Sequence, residues 1–233
     1  YNAFVKAELP FPFAIAASQL GVGLLYAIPM WVLKLRTSPS MSMSDIKRIM
    51  PVVLLNAIGH TCTVTAMFQK GGGSFTHVIK AAEPVVSVIL GLVLQRKVPK
   101  PLTALSLIPI TYGVAYASTL GNLSPASMKK ELTTLSAKLA MTSNVMFAWR
   151  SIVRSELPQS FKERTKLDAT NEFALTTLLS FALLLPVVAR LEGFGVIISS
   201  FQGNAGMGAL VKNIFACGMC FYLYNEMQNN VLA

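Results

Sequence analysis

The stretch SFTHVIKAAEPVVSVILGLVL, residues 74–94, combines an apolar run of membrane-spanning character with His77, Lys80 and Glu83. The residues that follow Pro84 are apolar apart from one serine and one glycine. Charged side chains are costly in hydrocarbon, so those that occur there usually line an internal polar cavity. The stretch therefore predicts a membrane helix that serves a polar ligand.

The composition extends this prediction to the whole chain. The sequence is 53% hydrophobic and only 13% charged, whereas a soluble domain carries about 25% charged residues. Apolar blocks of about 18 residues or more are typical of membrane-spanning helices, and these are too long and continuous for barrel strands. We therefore predict an all-α, polytopic membrane bundle. Seven blocks are found, at residues 12–33, 49–69, 73–95, 101–120, 133–153, 171–190 and 206–228.

The breaks between the blocks are short and rich in polar residues, Pro and Gly. They leave no room for a soluble domain, so residues 1–233 are predicted to form a single polytopic transmembrane domain. The net charge of +10 comes mainly from Lys and Arg in these breaks. If successive breaks alternate between the two sides of the membrane, eleven of these cations lie on one side and seven on the other. This bias agrees with the positive-inside rule, and we predict contact with lipid rather than with nucleic acid.

Lys80 and Glu83 are spaced to meet on one helical face. With Thr76 and Ser87 they form a polar stripe at i, i+4, i+7 and i+11 on an apolar helix. Pro84 has no N–H for the carbonyl four residues earlier, so a bend is predicted at this point. The stripe is typical of a helix that lines a transport cavity, but a buried ion pair that pins two helices together is the structural alternative.

Other ionisable and hydroxyl side chains inside the blocks point to an anion. Arg150 is a second fixed cation, while His60, Thr63 and Tyr224 are neutral hydrogen-bond donors. Gly59 is predicted to allow a close approach of another helix. No nucleophile and base have catalytic spacing, and the C-G-M-C spacing of two cysteines has no second pair to complete a metal site. We therefore expect no catalytic residues, no metal and no cofactor.

The run SFTHVIKAAEP, together with AIGHTCTVTAM before it and AWRSI and FYLYNE after it, resembles the plastid phosphate translocator family of the drug/metabolite transporter superfamily. The resemblance covers nearly the whole chain. It implies ten transmembrane helices in two inverted five-helix repeats, with the seven blocks corresponding to the second to eighth helices. The first and the last two helices are then expected to lie outside this sequence, together with the phosphate-binding Lys-Arg pair of the ninth helix.

The resemblance also implies roles for individual residues. His60 and Thr63 match the substrate-contacting histidine and threonine of the third helix, and Lys80 matches the substrate lysine of the fourth. Arg150 matches the arginine of the sixth helix, and Tyr224 matches a tyrosine of the eighth. Glu83 and Thr76 are expected to support the site.

The function implied by the resemblance is exchange of inorganic phosphate for triose phosphate or 3-phosphoglycerate across the inner envelope membrane of a plastid. The protein is expected to be a multi-pass monomer or weak dimer. Hexose- or pentose-phosphate exchange within the same family and nucleotide-sugar transport within the superfamily remain as alternatives. An intramembrane enzyme or a structural membrane protein is a further alternative, but no paired carboxylates or metal-ligand set support it.

Overall fold

The computed structural model describes residues 2–69, 72–119, 134–202 and 207–231, and all the regular structure in these ranges is helical. The polar break at 121–131 and Lys70 lie outside the described residues. The helices are α1 (Asn2–Glu8), α2 (Pro12–Val32), α3 (Met43–Phe68), α4 (Gly72–Lys80), α5 (Glu83–Gln95), α6 (Pro101–Ser118), α7 (Leu135–Ser155), α8 (Gln159–Thr165), α9 (Ala169–Leu191), α10 (Phe194–Gln202) and α11 (Met207–Val231).

The predicted all-α membrane fold is confirmed, because each of the seven apolar blocks contains helix. Within the described residues, five stretches are long and apolar enough to cross a membrane: Pro12–Val32, Met43–Phe68, Phe75–Gln95, Ala169–Leu191 and Met207–Asn230. The other two blocks form α6 and α7. Helix α7 is more polar than the five spans because it carries Arg150 and several other polar side chains.

The start of α3 differs from the apolar block because local hydrogen bonds extend this helix. Helix α3 begins at Met43, six residues before the predicted block. The Ser42 backbone N–H donates to the Asp45 carboxylate at 3.0 Å, and the Asp45 N–H donates to the Ser42 hydroxyl at 3.3 Å. This reciprocal cap extends the helix beyond the apolar residues. The polar break after α7 also contains the short helix α8.

The helix that contains the opening stretch is interrupted. Ala81 and Ala82 form a turn between α4 and α5, and the Ala82 N–H donates to the Ile79 carbonyl at 3.0 Å. The bend predicted at Pro84 is therefore confirmed, and it lies in the turn just before this proline. Since Lys80 ends α4 and Glu83 begins α5, the predicted polar stripe is divided between two helices.

The described chain divides into two compact units. The first contains residues 1–57 and 156–233, where α2 packs against α9 and α11. Its cores include Ala27, Phe173 and Tyr222 in one cluster, and α8 inserts Phe161 into another. The expectations of a single domain and of inverted repeats remain predictions.

The second unit contains residues 58–155, where α4 and α5 pack against α7. Its core is formed by Ala66, Ile79 and Ala140, one residue from each of the three helices that meet there. All three are small or aliphatic, so the helices approach closely. This packing places Lys80, which follows Ile79, against α7.

Candidate functional site

The ammonium group of Lys80 is held by three acceptors. It donates to the Glu83 carboxylate at 3.3 Å, to the Ser143 hydroxyl at 3.3 Å and to the Asn144 side-chain carbonyl at 3.5 Å. The predicted pairing of Lys80 with Glu83 is confirmed. Each of these side chains is partly or fully buried, so the polar contacts replace water around the ammonium.

The helix break explains why this ion pair is tolerated. Lys80 lies in the last turn of α4, and Glu83 lies in the first turn of α5. A cation is stabilised at the C-terminal end of a helix and an anion at the N-terminal end, because the peptide dipoles align along the axis. The break therefore gives each charge the helix end that favours it.

A chain of hydroxyl groups connects Lys80 to α3. The hydroxyls of Ser143 and Thr63 are 2.5 Å apart, and the Thr63 hydroxyl donates to the Gly59 carbonyl at 3.0 Å. Since the one hydroxyl proton of Thr63 goes to the Gly59 carbonyl, Ser143 is the donor in its contact with Thr63. The structure thus brings Thr63 and Lys80 into one hydrogen-bonded network.

Arg150 joins this network through an aromatic ring. The guanidinium of Arg150 lies 5.1 Å from the centroid of Phe147, and the ammonium of Lys80 lies 4.5 Å from the same centroid. Both distances allow cation–π attraction. Two cationic side chains, Lys80 and Arg150, thus lie near the same aromatic ring.

His60 lies one helical turn before Thr63 and is 2% exposed. The adjacent Gly59 permits the predicted close approach, because a Cβ atom at this position would lie 3.2 Å from side-chain atoms of both Met146 and Phe147. Helix α3 therefore contacts α7 at the level of the two cations. His60 belongs to the same unit as Thr63, Lys80 and Arg150.

Thr76 supports the position of α4. Its buried hydroxyl lies 3.3 Å from the Ser136 hydroxyl, which also donates to the Ala66 carbonyl at 3.1 Å. These contacts join α3, α4 and α7 at a level one helical turn before Lys80. The supporting role expected of Thr76 remains a prediction, with these contacts as its physical basis.

Tyr224 belongs to the other unit, where its side chain is 67% exposed on α11. The neighbouring Tyr222 is fully buried and packs against the ring of Tyr26 with centroids 5.7 Å apart. Glu226, one turn further along α11, accepts a hydrogen bond of 2.6 Å from Arg36. Burial alone would lower the pKa of Arg36, but the hydrogen bond and the charge of Glu226 outweigh it and raise this pKa.

Sequence reasoning missed three residues of the Lys80 cluster, namely Ser143, Asn144 and Phe147. A signal was present for two of them, since Ser143, Phe147 and Arg150 occur at i, i+4 and i+7 and so share one helical face. Sequence reasoning also missed Arg36 as the partner of Glu226, because 190 residues separate them.

A model of the Triose-phosphate Transporter family matches residues 1–233. The chain belongs to this family. The resemblance to plastid phosphate translocators is thereby confirmed, and since the family consists of transporters, the chain is not that of an enzyme.

Similar curated proteins include two kinds of translocator. The chain is 33% identical over 237 residues to phosphoenolpyruvate/phosphate translocator 1, chloroplastic, of Oryza sativa subsp. japonica, covering 100% of this chain and 55% of that protein. It is 32% identical over 236 residues to the triose phosphate/phosphate translocators, chloroplastic, of Flaveria pringlei and Spinacia oleracea, covering 100% of this chain and 53% of each. The chain thus spans about half the length of these relatives, and the identities do not separate the two substrates.

Proposed function

We propose that the protein is an antiporter that exchanges inorganic phosphate for a phosphorylated three-carbon metabolite, by alternating access, across the inner envelope membrane of a plastid. Triose phosphate and 3-phosphoglycerate are the proposed organic substrates. His60, Thr63, Lys80, Arg150 and Tyr224 would contact the substrate, with Glu83 and Thr76 in support. The protein would be multi-pass and either a monomer or a weak dimer.

One observation carries this proposal. The ammonium of Lys80 lies within an apolar span, and its only carboxylate contact among the described residues is Glu83, at 3.3 Å. Arg150 adds a second positive charge next to Phe147. A phosphate dianion would offset the charge of these two cations and accept charge-assisted hydrogen bonds, which are about twice as strong as neutral ones. The names of the chloroplastic relatives support the same class of ligand.

The positive cluster also favours exchange over one-way transport. An unloaded site would have to carry the cations of Lys80 and Arg150 through the middle of the membrane without a bound anion, which is costly. A bound phosphate or phosphorylated metabolite offsets this charge, so the loaded protein would change its facing side more readily. We therefore expect phosphate efflux from liposomes to require an external counter-substrate.

The test is a counter-exchange panel with the full-length protein in liposomes loaded with radiolabelled phosphate. External dihydroxyacetone phosphate and 3-phosphoglycerate should drive the fastest efflux, and protein-free liposomes provide the control. Faster efflux with phosphoenolpyruvate, glucose 6-phosphate or xylulose 5-phosphate would assign the protein to another substrate of the same family. Efflux driven only by nucleotide sugars, or equal efflux with and without a counter-substrate, would contradict the proposal.

A further inference from the structure

Asn144 uses both ends of its side-chain amide at the break between α4 and α5. Its Nδ2 donates to the Ile79 carbonyl at 2.9 Å, and its Oδ1 accepts from the Lys80 ammonium at 3.5 Å. The residue has 0% exposure. Because no water reaches it, a lost hydrogen bond at this position would leave a buried polar atom without a replacement partner.

These two bonds act on neighbouring residues of α4. Ile79 is in the last turn of the helix, and its carbonyl also accepts from the Ala82 N–H, which closes the turn at the break. Lys80 follows directly and carries the ammonium. The Asn144 side chain on α7 thus contacts both the backbone at the break and the Lys80 ammonium beside it.

We propose that Asn144 is a positioning residue for the anion site, which fixes the ammonium of Lys80 at the helix break so that it can bind phosphate. This inference rests on the proposed function and extends it to a residue that does not itself need to touch the substrate. The neighbouring Ser143 connects the same ammonium to Thr63 on α3. Ser143 and Asn144 on α7 thereby both accept hydrogen bonds from the Lys80 ammonium.

The chemistry of an amide suits this position. The donor end satisfies a carbonyl and the acceptor end satisfies an ammonium, while the group adds no charge. An ionised aspartate would offer no donor to Ile79, and it would be a second carboxylate competing with phosphate for Lys80. A leucine would offer neither donor nor acceptor. A glutamine would keep both groups but would place them one methylene further from α7.

The test measures KM and Vmax for phosphate counter-exchange by the full-length protein in liposomes. We expect Asn144→Asp to raise KM for phosphate about tenfold or more while Vmax per folded protein changes much less, since the added carboxylate competes for the ammonium. Asn171→Asp is the matched control. Asn171 is also fully buried and uses both ends of its amide, accepting from Trp31 at 2.9 Å and donating to the Thr37 carbonyl at 2.8 Å.

The control is expected to lose stability without a change in KM. An Asn144→Asp protein with wild-type KM would overturn the proposal, as would an equal rise in KM for the Asn171→Asp protein. If Asn144→Asp does not fold, Asn144→Gln takes its place. Its displaced amide should raise KM about threefold or more, and a wild-type KM in this variant would likewise overturn the proposal.

A second measurement separates this inference from the proposed function. Amide hydrogen exchange over residues 78–86 should be faster in Asn144→Leu than in wild type, because the Ile79 carbonyl loses a donor. Asn171→Leu should leave this segment unchanged. Liposomes that contain the wild-type protein but exchange no phosphate would contradict the proposed function. Equal hydrogen-exchange rates over residues 78–86 in Asn144→Leu and in wild type would refute the positioning role of Asn144, whether or not phosphate is exchanged.

Discussion

The carboxylate of Glu83 lies 3.3 Å from the ammonium of Lys80, and a two-residue break between α4 and α5 separates the two residues. Both side chains are partly buried. Glu83 is therefore the local counter-charge of Lys80. A bound phosphate would compete with Glu83 for the same ammonium.

Removing the Glu83 carboxylate should make the thermal stability of the protein depend more strongly on bound phosphate. We expect Glu83→Gln to lower the melting temperature by roughly 3 °C, since the ammonium loses its counter-charge. Phosphate should then raise the melting temperature of the variant more than that of wild type, because stabilisation by a ligand grows with its affinity for the folded state. A thermal-shift titration of both proteins measures this. A shift no larger than that of wild type would mean that Glu83 does not balance the charge of Lys80.

Lys80→Ala should abolish phosphate exchange while the protein still inserts into membranes. A hydrogen bond to a charged group contributes about 1.5–3 kcal/mol, and more is lost when an anion is left without its partner in a partly dry site. Lys80→Arg should also be strongly impaired, because a planar fork replaces a compact ammonium. The exposed Lys97→Gln serves as control for the loss of a positive charge. Wild-type uptake by Lys80→Ala would contradict the assignment.

His60→Asn should change the preference among substrates rather than eliminate phosphate exchange. The imidazole can donate to a carboxylate or hydroxyl at the far end of a substrate, and the shorter amide reaches less far. We expect 3-phosphoglycerate to lose most in a competition assay against labelled phosphate. Equal losses for every substrate, phosphate included, would indicate that His60 supports the fold or the phosphate end.

The contributions of Arg36 and Glu226 to the unfolding free energy should depend on each other, because the two side chains form a largely buried ion pair. Each single variant, Arg36→Gln or Glu226→Gln, leaves one charge without its partner and should lose about 3 kcal/mol of unfolding free energy. The double variant should lose less than the sum of the two, which a double-mutant cycle measures. Arg190→Gln, at an exposed position, is the control. Additive losses would show that the two residues act independently.

The close contact of α2 with α11 depends on Gly218. An added Cβ would lie 2.6 Å from the Cβ of Val22, so one helix would have to move. We expect Gly218→Ala to destabilise the protein by about 1–3 kcal/mol. Gly208→Ala on the same helix is the matched control, because nothing lies within 4 Å of its added Cβ. Similar melting temperatures for the two variants would contradict the packing argument.

The helical membrane fold could be predicted from the sequence because hydropathy is a local property. Each apolar block is long enough to cross a bilayer, and in hydrocarbon such a segment must satisfy its own backbone hydrogen bonds. The start of α3 was predicted too late because Ser42 and Asp45 extend the helix by hydrogen bonds that hydropathy does not record. The break before Glu83 was anticipated from Pro84, which cannot donate a backbone hydrogen bond.

The sequence by itself also determined which side chains are unusual, since a lysine and a glutamate in an apolar span are visible without a structure. Their mutual spacing predicted the Lys80–Glu83 contact, because residues three apart lie on one side of a helix turn. Only the tertiary structure decided that Asn144 and Ser143 contact the Lys80 ammonium and that Arg36 pairs with Glu226. The partners in these contacts are 63, 64 and 190 residues apart in the chain. Packing between helices brings such side chains together, and no periodicity within one segment encodes it.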